Sequence, residues 1–228
     1  MSNFRKIAVL LVLLLLVSCG GSVVTPVSSN QIYRYLALGD SYTIGESVAE
    51  EDRWPNQLAA LLDSSGNIDV TIIARTGWTT SELWQGIQAA DPQGTYDMVS
   101  LLIGVNNQYR GYDIDEYREE FRFLLGKAIE FAGGKPEHVF VLSIPDWGVT
   151  PFATGRDRGQ ISSEINAFNA VNLEESKKAN VNYVDITPIS REAVSDSSLI
   201  AADGLHPSGK MYTEWAKLSL PIALGILE

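Results

Sequence analysis

Ser41 stands at the end of an apolar run, in the stretch YLALGDSYTIGE (residues 35–46), where Gly39-Asp40 make an abrupt turn. A serine hydroxyl is a weak nucleophile near neutral pH and needs a base within hydrogen-bond reach. The chain has two histidines, His138 and His206. Asp203 lies three residues before His206, close enough through a tight loop to bond the far imidazole nitrogen and fix its tautomer. A tetrahedral oxyanion would need donors aimed at it: the N–H of Ser41, the N–H of Gly77 and the side-chain amide of Asn106 are the candidates. Gly77 suits that place because a side chain would obstruct the approach of backbone to substrate. Taken singly, each piece has an ordinary explanation. Asp40 or Ser41 could cap a helix, Asn106 and Asn107 could form a turn, and Asp-x-x-His could start a helix.

What decides between these explanations is where the elements put the residues. YRYLALG (33–39) reads as a buried strand, DVTIIA (69–74) as a second, DMVSLLIG (97–104) as a third, HVFVLSI (138–144) as a fourth and VNYVDI (181–186) as a fifth. Helical patterns separate them. WPNQLAALLDSSG places Trp54, Leu58, Leu61 and Leu62 on one face and stops at Gly66, and residues 80–90 form a helix with Thr80 and Ser81 as possible caps. Asp113 and Glu116 open a helix in capping-box fashion, with Tyr117, Phe121, Leu124 and Ala128 as its stripe and Gly133-Gly134 as its stop. Residues 162–179 make a further helix. The last starts near Pro207, keeps Met211, Trp215 and Leu218 in register, and should kink or break at Pro221.

Five nearly continuous apolar strands alternating with helices predict an α/β fold with a parallel sheet covered on both faces. Ligands of such sheets bind beyond the carboxyl ends of the strands. Ser41 follows strand one, Gly77 strand two, Asn106 strand three, and the Asp203–His206 pair comes after strand five. His138 precedes strand four, so it belongs at the opposite rim, and His206 is left as the base. The candidates therefore share one rim. Tyr42, Trp78, Tyr109, Tyr112, Trp147 and Phe152 also follow strand ends; several could line a cleft, with Tyr42, Trp78, Tyr109 and Trp147 the foremost candidates. Arg110, Arg156 and Arg158 could meet an anionic group or pair with Asp113, Asp157 and nearby carboxylates.

The chain begins differently. Arg5 and Lys6 precede the apolar run IAVLLVLLLLV (7–17), too short for a comfortable membrane span. It ends in LVSCG, which resembles a bacterial lipoprotein signal. The resemblance implies that residues 1–18 are removed and that Cys19 is lipidated as the new N-terminus. Gly20 in place of an acidic residue leans toward the outer membrane of a two-membrane bacterium. Residues 19–31 then form a small, polar tether, and 32–228 a single domain. Cys19 is the sole cysteine, so no internal disulfide can form. With two histidines at opposite rims, a usual metal site has no ligand set, and no cofactor is expected. The formal charge is -11, and loss of Arg5 and Lys6 takes it to -13, a surface that disfavours nucleic acid.

In order, Gly39-Asp40-Ser41, Gly77, Gly104-x-Asn106 and Asp203-x-x-His206 match the four marked segments of the SGNH, or GDSL, hydrolase superfamily, which the chain resembles from about Tyr33 to its last helix. The resemblance implies a flavodoxin-like three-layer α/β/α sandwich and a metal-independent esterase mechanism. It implies Ser41 as nucleophile, His206 as base, Asp203 as orienter, and Ser41, Gly77 and Asn106 as the oxyanion hole. Asn107 departs from the Asp usual after the block-three Asn. The expected substrate is a short acyl ester, such as acetyl on a carbohydrate. The alternatives are a lysophospholipase- or thioesterase-like lipid esterase, or a glycan-binding surface lipoprotein without catalysis. A phosphate- or nucleotide-binding module is disfavoured, because GDSYTIGE has neither a glycine-rich phosphate loop nor its lysine.

Overall fold

In the computed structural model, residues 32–62 and 67–228 are described. The signal, Cys19, the tether and the Gly66 stop fall outside them. β1 (Tyr33–Gly39) is the hub of the sheet. It pairs in parallel with β2 (Ile68–Ala74) on one side and β3 (Met98–Leu102) on the other. β4 (Val139–Leu142) and β5 (Asn182–Val184) complete an all-parallel sheet in the order β2-β1-β3-β4-β5. β3 and β4 are buried along their whole length, which is why they read as unbroken apolar runs.

Two groups of helices cover the sheet. α2 (Trp54–Leu62) packs on α8 (Gly209–Leu227), which also meets α7 (Thr187–Arg191). α5 (Ile114–Phe131) packs between α3 (Thr80–Ala90) and α6 (Arg158–Lys178). Two short helices start directly behind strands: α1 (Ser41–Ile44) after β1 and α4 (Val105–Tyr109) just after β3. Trp54 and Leu58 of α2 and Tyr212 and Trp215 of α8 are fully buried. Truncating Trp215 to Ala would cost about 3–5 kcal/mol.

Local chemistry moved several boundaries. Thr79, not Thr80 or Ser81, caps α3: its hydroxyl accepts from the Glu82 N–H while the Glu82 carboxylate accepts from the Thr79 N–H. Asp157 caps α6 by accepting from the Gln160 N–H at 2.9 Å, so that helix begins at Arg158 rather than at residue 162. Asp113 caps α5 by accepting from the N–H groups of Asp115 and Glu116. Leu61 is 45% exposed and Leu218 is 43% exposed, so neither belongs to its predicted stripe; α8 instead buries Met211, Tyr212, Trp215, Ala216, Ser219 and Ala223. Pro221 does not end α8. It lies on the exposed face, as does Lys217 one turn before it, so the carbonyl freed by the missing N–H can turn to solvent. Among the described residues, no helix is long and apolar enough to cross a membrane.

Candidate active site

The register of the sheet brings the site together. Gly39 lies beside Ala74 on one flank and Leu102 on the other, so the segments that leave β1, β2 and β3 emerge side by side. The strand order reverses direction at β1, the place where open α/β sheets bind ligands.

Asp40 shapes the first of these segments. It is fully buried, and its Oδ1 accepts from the Tyr42 N–H at 3.0 Å, which starts α1 and sets Ser41 in the first helical turn. Burial pushes the Asp40 carboxyl up to about 7, against the lowering effect of the backbone N–H groups around it. Ser41 sits at the cleft wall, largely covered.

Across the cleft, residues 201–206 form a closed loop. The Ala201 N–H donates to the His206 carbonyl at 2.7 Å, and Ile200 bridges Pro207. Within it, Asp203 Oδ1 accepts from the N–H groups of Leu205 and His206, each at 2.9 Å. Asp203 Oδ2 lies 2.6 Å from His206 Nδ1, and it also accepts from the Ser47 hydroxyl at 2.6 Å. Partial burial alone would raise the Asp203 carboxyl, but the hydrogen bonds from Ser47, the imidazole and the two backbone N–H groups outweigh it and hold the group well below the usual carboxylate range. With Nδ1 committed to Asp203, the other ring nitrogen is the one left for the cleft, where His206 is 7% exposed. Among the described residues no hydrogen bond joins Ser41 to His206; contacts of this kind commonly tighten only with substrate bound. The Tyr42 ring meets the imidazole edge-on at 5.6 Å and limits its swing.

Asn106 lies in the first turn of α4, and its Nδ2 donates to the Trp78 carbonyl at 2.9 Å. One amide hydrogen fixes the side chain and the second remains available. Gly77 also lines the cleft, but the reason for glycine differs from the expected one. An added Cβ would meet nothing nearer than Arg110 at 3.9 Å, whereas φ is +85°, a conformation that disfavours any other residue. The Gly77 carbonyl accepts from Arg110 at 2.6 Å, and Arg110 is paired with Glu82 at 3.3 Å rather than with Asp113.

Asn107 is fully buried behind the site. Its Oδ1 accepts from the Thr80 N–H at 3.1 Å and its Nδ2 donates to Thr80 Oγ1 at 2.7 Å, while the Thr80 hydroxyl donates to Glu120. An amide supplies both the donor and the acceptor that this arrangement uses.

Tyr42, Tyr109 and Trp147 line the cleft, a cavity of about 170 Å³. Trp78 does not. It packs on α3, where a Cβ at Gly86 would run into its ring. Thr76, Val105, Phe152 and Leu205 complete the lining. Thr76, Val105 and Leu205 each adjoin a motif residue (Gly77, Asn106 and His206), and that adjacency was the available signal. Trp147 is fixed by donating from Nε1 to Gln108 at 2.8 Å. Arg156 donates to the Tyr109 hydroxyl at 3.1 Å and stands over the rings of Tyr109, Trp147 and Phe152, all within 5.4 Å, rather than pairing with Asp157. Arg158 donates to the Thr150 carbonyl. On the far side of Tyr109 and Trp147 runs a second groove of about 310 Å³, bordered by Gln108, Arg156, Gln160 and Glu164. His138 bonds the Asp97 carbonyl at 2.7 Å, just before β4, and takes no part in the cleft.

Comparison with solved structures gives the same architecture. A member of the lipolytic protein G-D-S-L family from Veillonella parvula is 19% identical with a TM-score of 0.63, over 83% of this chain and 97% of its own. A lipase/acylhydrolase from Enterococcus faecalis is 20% identical with a TM-score of 0.64, over 85% and 96%. Axe2, an acetylxylan esterase from Geobacillus stearothermophilus, is 20% identical with a TM-score of 0.64, over 85% and 95%. At such identities the likeness establishes the fold. No curated protein matches the sequence. Family membership comes from the sequence match to the GDSL-like Lipase/Acylhydrolase family model over residues 37–213, a span that runs from β1 into α8 and includes Ser41, Gly77, Asn106, Asp203 and His206. The chain belongs to this family and is a serine hydrolase of ester bonds.

Proposed function

We propose that the chain hydrolyses short-acyl esters of carbohydrate through an acyl-enzyme on Ser41. His206 takes the Ser41 proton as Oγ attacks the ester carbonyl, and it returns that proton to the departing alcohol. Water then enters and attacks the acyl-enzyme while giving a proton to His206, and His206 passes that proton to Ser41 Oγ as its ester bond breaks and the acid leaves. Asp203 orients the imidazole. The N–H groups of Ser41 and Gly77 and the Asn106 amide receive the oxyanion of each tetrahedral intermediate.

The observation that carries this reading is the 2.6 Å contact of His206 Nδ1 with Asp203, which leaves the opposite nitrogen for the cleft wall shared with Ser41. The size of the cavity supports a small acyl group, since about 170 Å³ falls below the ~300–1,000 Å³ of sites for drug-sized ligands. The polar groove beyond Tyr109 and Trp147 supports a hydroxyl-rich alcohol. A lipid esterase, lysophospholipase- or thioesterase-like, is the second reading. Exposed aromatic surface at the mouth favours it, with Tyr109 45% and Phe152 42% exposed. A glycan-binding lipoprotein without catalysis is the outcome if Ser41 proves inert.

The test is hydrolysis of a p-nitrophenyl ester series from acetate to palmitate, and of acetylated oligosaccharide, by the full chain and its Ser41→Ala variant. Activity confined to short chains and lost in the variant supports the proposal. A long-chain optimum supports the lipid reading, and equal rates in both proteins overturn the nucleophile. We further propose that residues 1–18 are a cleaved signal, that Cys19 carries the lipid anchor, and that 19–31 tether the domain 32–228 to the cell envelope. The observation behind this is the basic, apolar and small-residue order that ends at Cys19.

A further inference from the structure

The tripeptide Gly45-Glu46-Ser47 follows α1 and lies outside the four marked segments. Two of its side chains nevertheless bond the loops that hold the candidate catalytic groups. The Glu46 carboxylate accepts from the hydroxyl of Thr76, the neighbour of Gly77. The Ser47 hydroxyl donates to Asp203 Oδ2 at 2.6 Å, the same oxygen that lies 2.6 Å from His206 Nδ1.

The four hydrogen bonds at Asp203 differ in where they come from. Three are supplied by Leu205 and His206 of its own loop, which would shift together with the carboxylate. The fourth alone crosses to the segment that begins at Ser41. Ser47 reaches it from a left-handed backbone, φ +67°, which L side chains other than Asn and Asp rarely adopt. Gly45 just before it is also left-handed, at φ +70°. The chain thus holds Ser47 in a disfavoured conformation at the one point where the nucleophile's segment grips the carboxylate behind the base.

We propose that Ser47 is a positioning residue that sets the distance and angle between His206 and Ser41 by acting through Asp203. The proposal rests on the reading of Asp203 as the orienter of His206. Ser47 touches neither substrate nor the reacting atoms. Its hydroxyl also shares the negative charge of Oδ2 with the imidazole, so removing it leaves the full charge facing His206.

The experiment is steady-state kinetics of p-nitrophenyl acetate hydrolysis between about pH 5 and pH 9 with the full chain, its Ser47→Ala and Ser47→Gly variants, and Asp203→Asn as a reference. Both Ser47 variants lose the hydroxyl, but only Gly relieves the left-handed backbone. The expected result is a fall in kcat of about tenfold in each, with KM little changed, as for the loss of one hydrogen bond to a charged group. The acid-side fall of kcat/KM moves to higher pH in both, because the imidazole faces a more concentrated charge. Wild-type kcat and an unmoved profile in either Ser47 variant overturn the proposal. A loss in Ser47→Ala that Ser47→Gly restores assigns the effect to backbone shape and overturns it too. Wild-type turnover in Asp203→Asn instead overturns the reading of Asp203, and the role of Ser47 with it.

Discussion

Asn107 and Thr80 hold each other at two points, backbone N–H to Oδ1 at 3.1 Å and Nδ2 to Oγ1 at 2.7 Å, across the gap between α4 and the start of α3. Because the Thr80 hydroxyl spends its proton on Glu120, the group at 107 must donate to it. Asn107→Asp removes that donor and puts a second carboxylate near Glu120 at a fully buried position. The variant should lose about 2 kcal/mol or more of stability at neutral pH and recover part of it in mild acid, where the new carboxyl binds a proton. Urea unfolding at two pH values measures this, and equal stability at both would contradict it.

Asp40 makes stability depend on pH in the less common direction. Its carboxyl is raised from 3.8 to about 7 by burial. The unfolded chain therefore ionises it above about pH 4, while the folded chain keeps its proton until about pH 7. Its contribution is fully present below pH 4, declines as pH rises to about 7, and is then flat; the decline is on the order of a few kcal/mol. Asp40→Asn keeps an acceptor for the Tyr42 N–H and should remove this slope, so its stability relative to wild type grows from pH 5 to pH 8. Parallel stability curves for the two proteins would show that Asp40 is ionised in the fold.

Ser41→Ala and His206→Ala should each abolish ester turnover with the far-ultraviolet spectrum and melting temperature little changed. The double variant should be scarcely worse than either single one, because groups that act as a unit fail as a unit. Losses that multiply would mean that the two residues do not share a step.

Asn106→Ala should lower kcat on the order of a hundredfold with a smaller effect on KM, the pattern of a lost oxyanion donor. The same substitution frees the Trp78 carbonyl of its partner, so melting should be followed in parallel. A change confined to KM would place the amide on the ground-state substrate.

Cys19→Ser should move the protein from the membrane fraction to the soluble fraction with its specific activity unchanged. Fractionation of cells expressing both forms decides this, and continued sedimentation with membranes would require another anchor.

The sheet and the positions of the motif residues were legible because both rest on local signals. Tyr35, Leu36, Ala37 and Leu38, or Val139, Phe140, Val141 and Leu142, are buried on both faces of the sheet and read as runs. A parallel sheet then sends every strand's exit to one rim. What was not legible depends on distant partners. Ser47 gains its meaning from Asp203, and Asn107 from Thr80, contacts that no periodicity foretells. Trp78 followed a strand like the other aromatics, but the bare surface of Gly86 offered its ring a closer place. That Pro221 does not break α8 has a related reason: the cost of a helix proline depends on whether water can reach the abandoned carbonyl, and the sequence does not display that.

The four donors around Asp203 have a consequence for proton traffic. A carboxylate offers about four lone-pair sites, and here Ser47, the imidazole and the N–H groups of Leu205 and His206 occupy them. They favour its charged form and hold it well below the usual carboxylate range, so the proton shared with His206 stays on the imidazole. On the proposed assignment, the proton taken from Ser41 can only wait on the imidazole until the departing alcohol collects it. Each half-reaction then carries a single proton in flight, and rates measured in mixtures of light and heavy water should fall in a straight line with deuterium content.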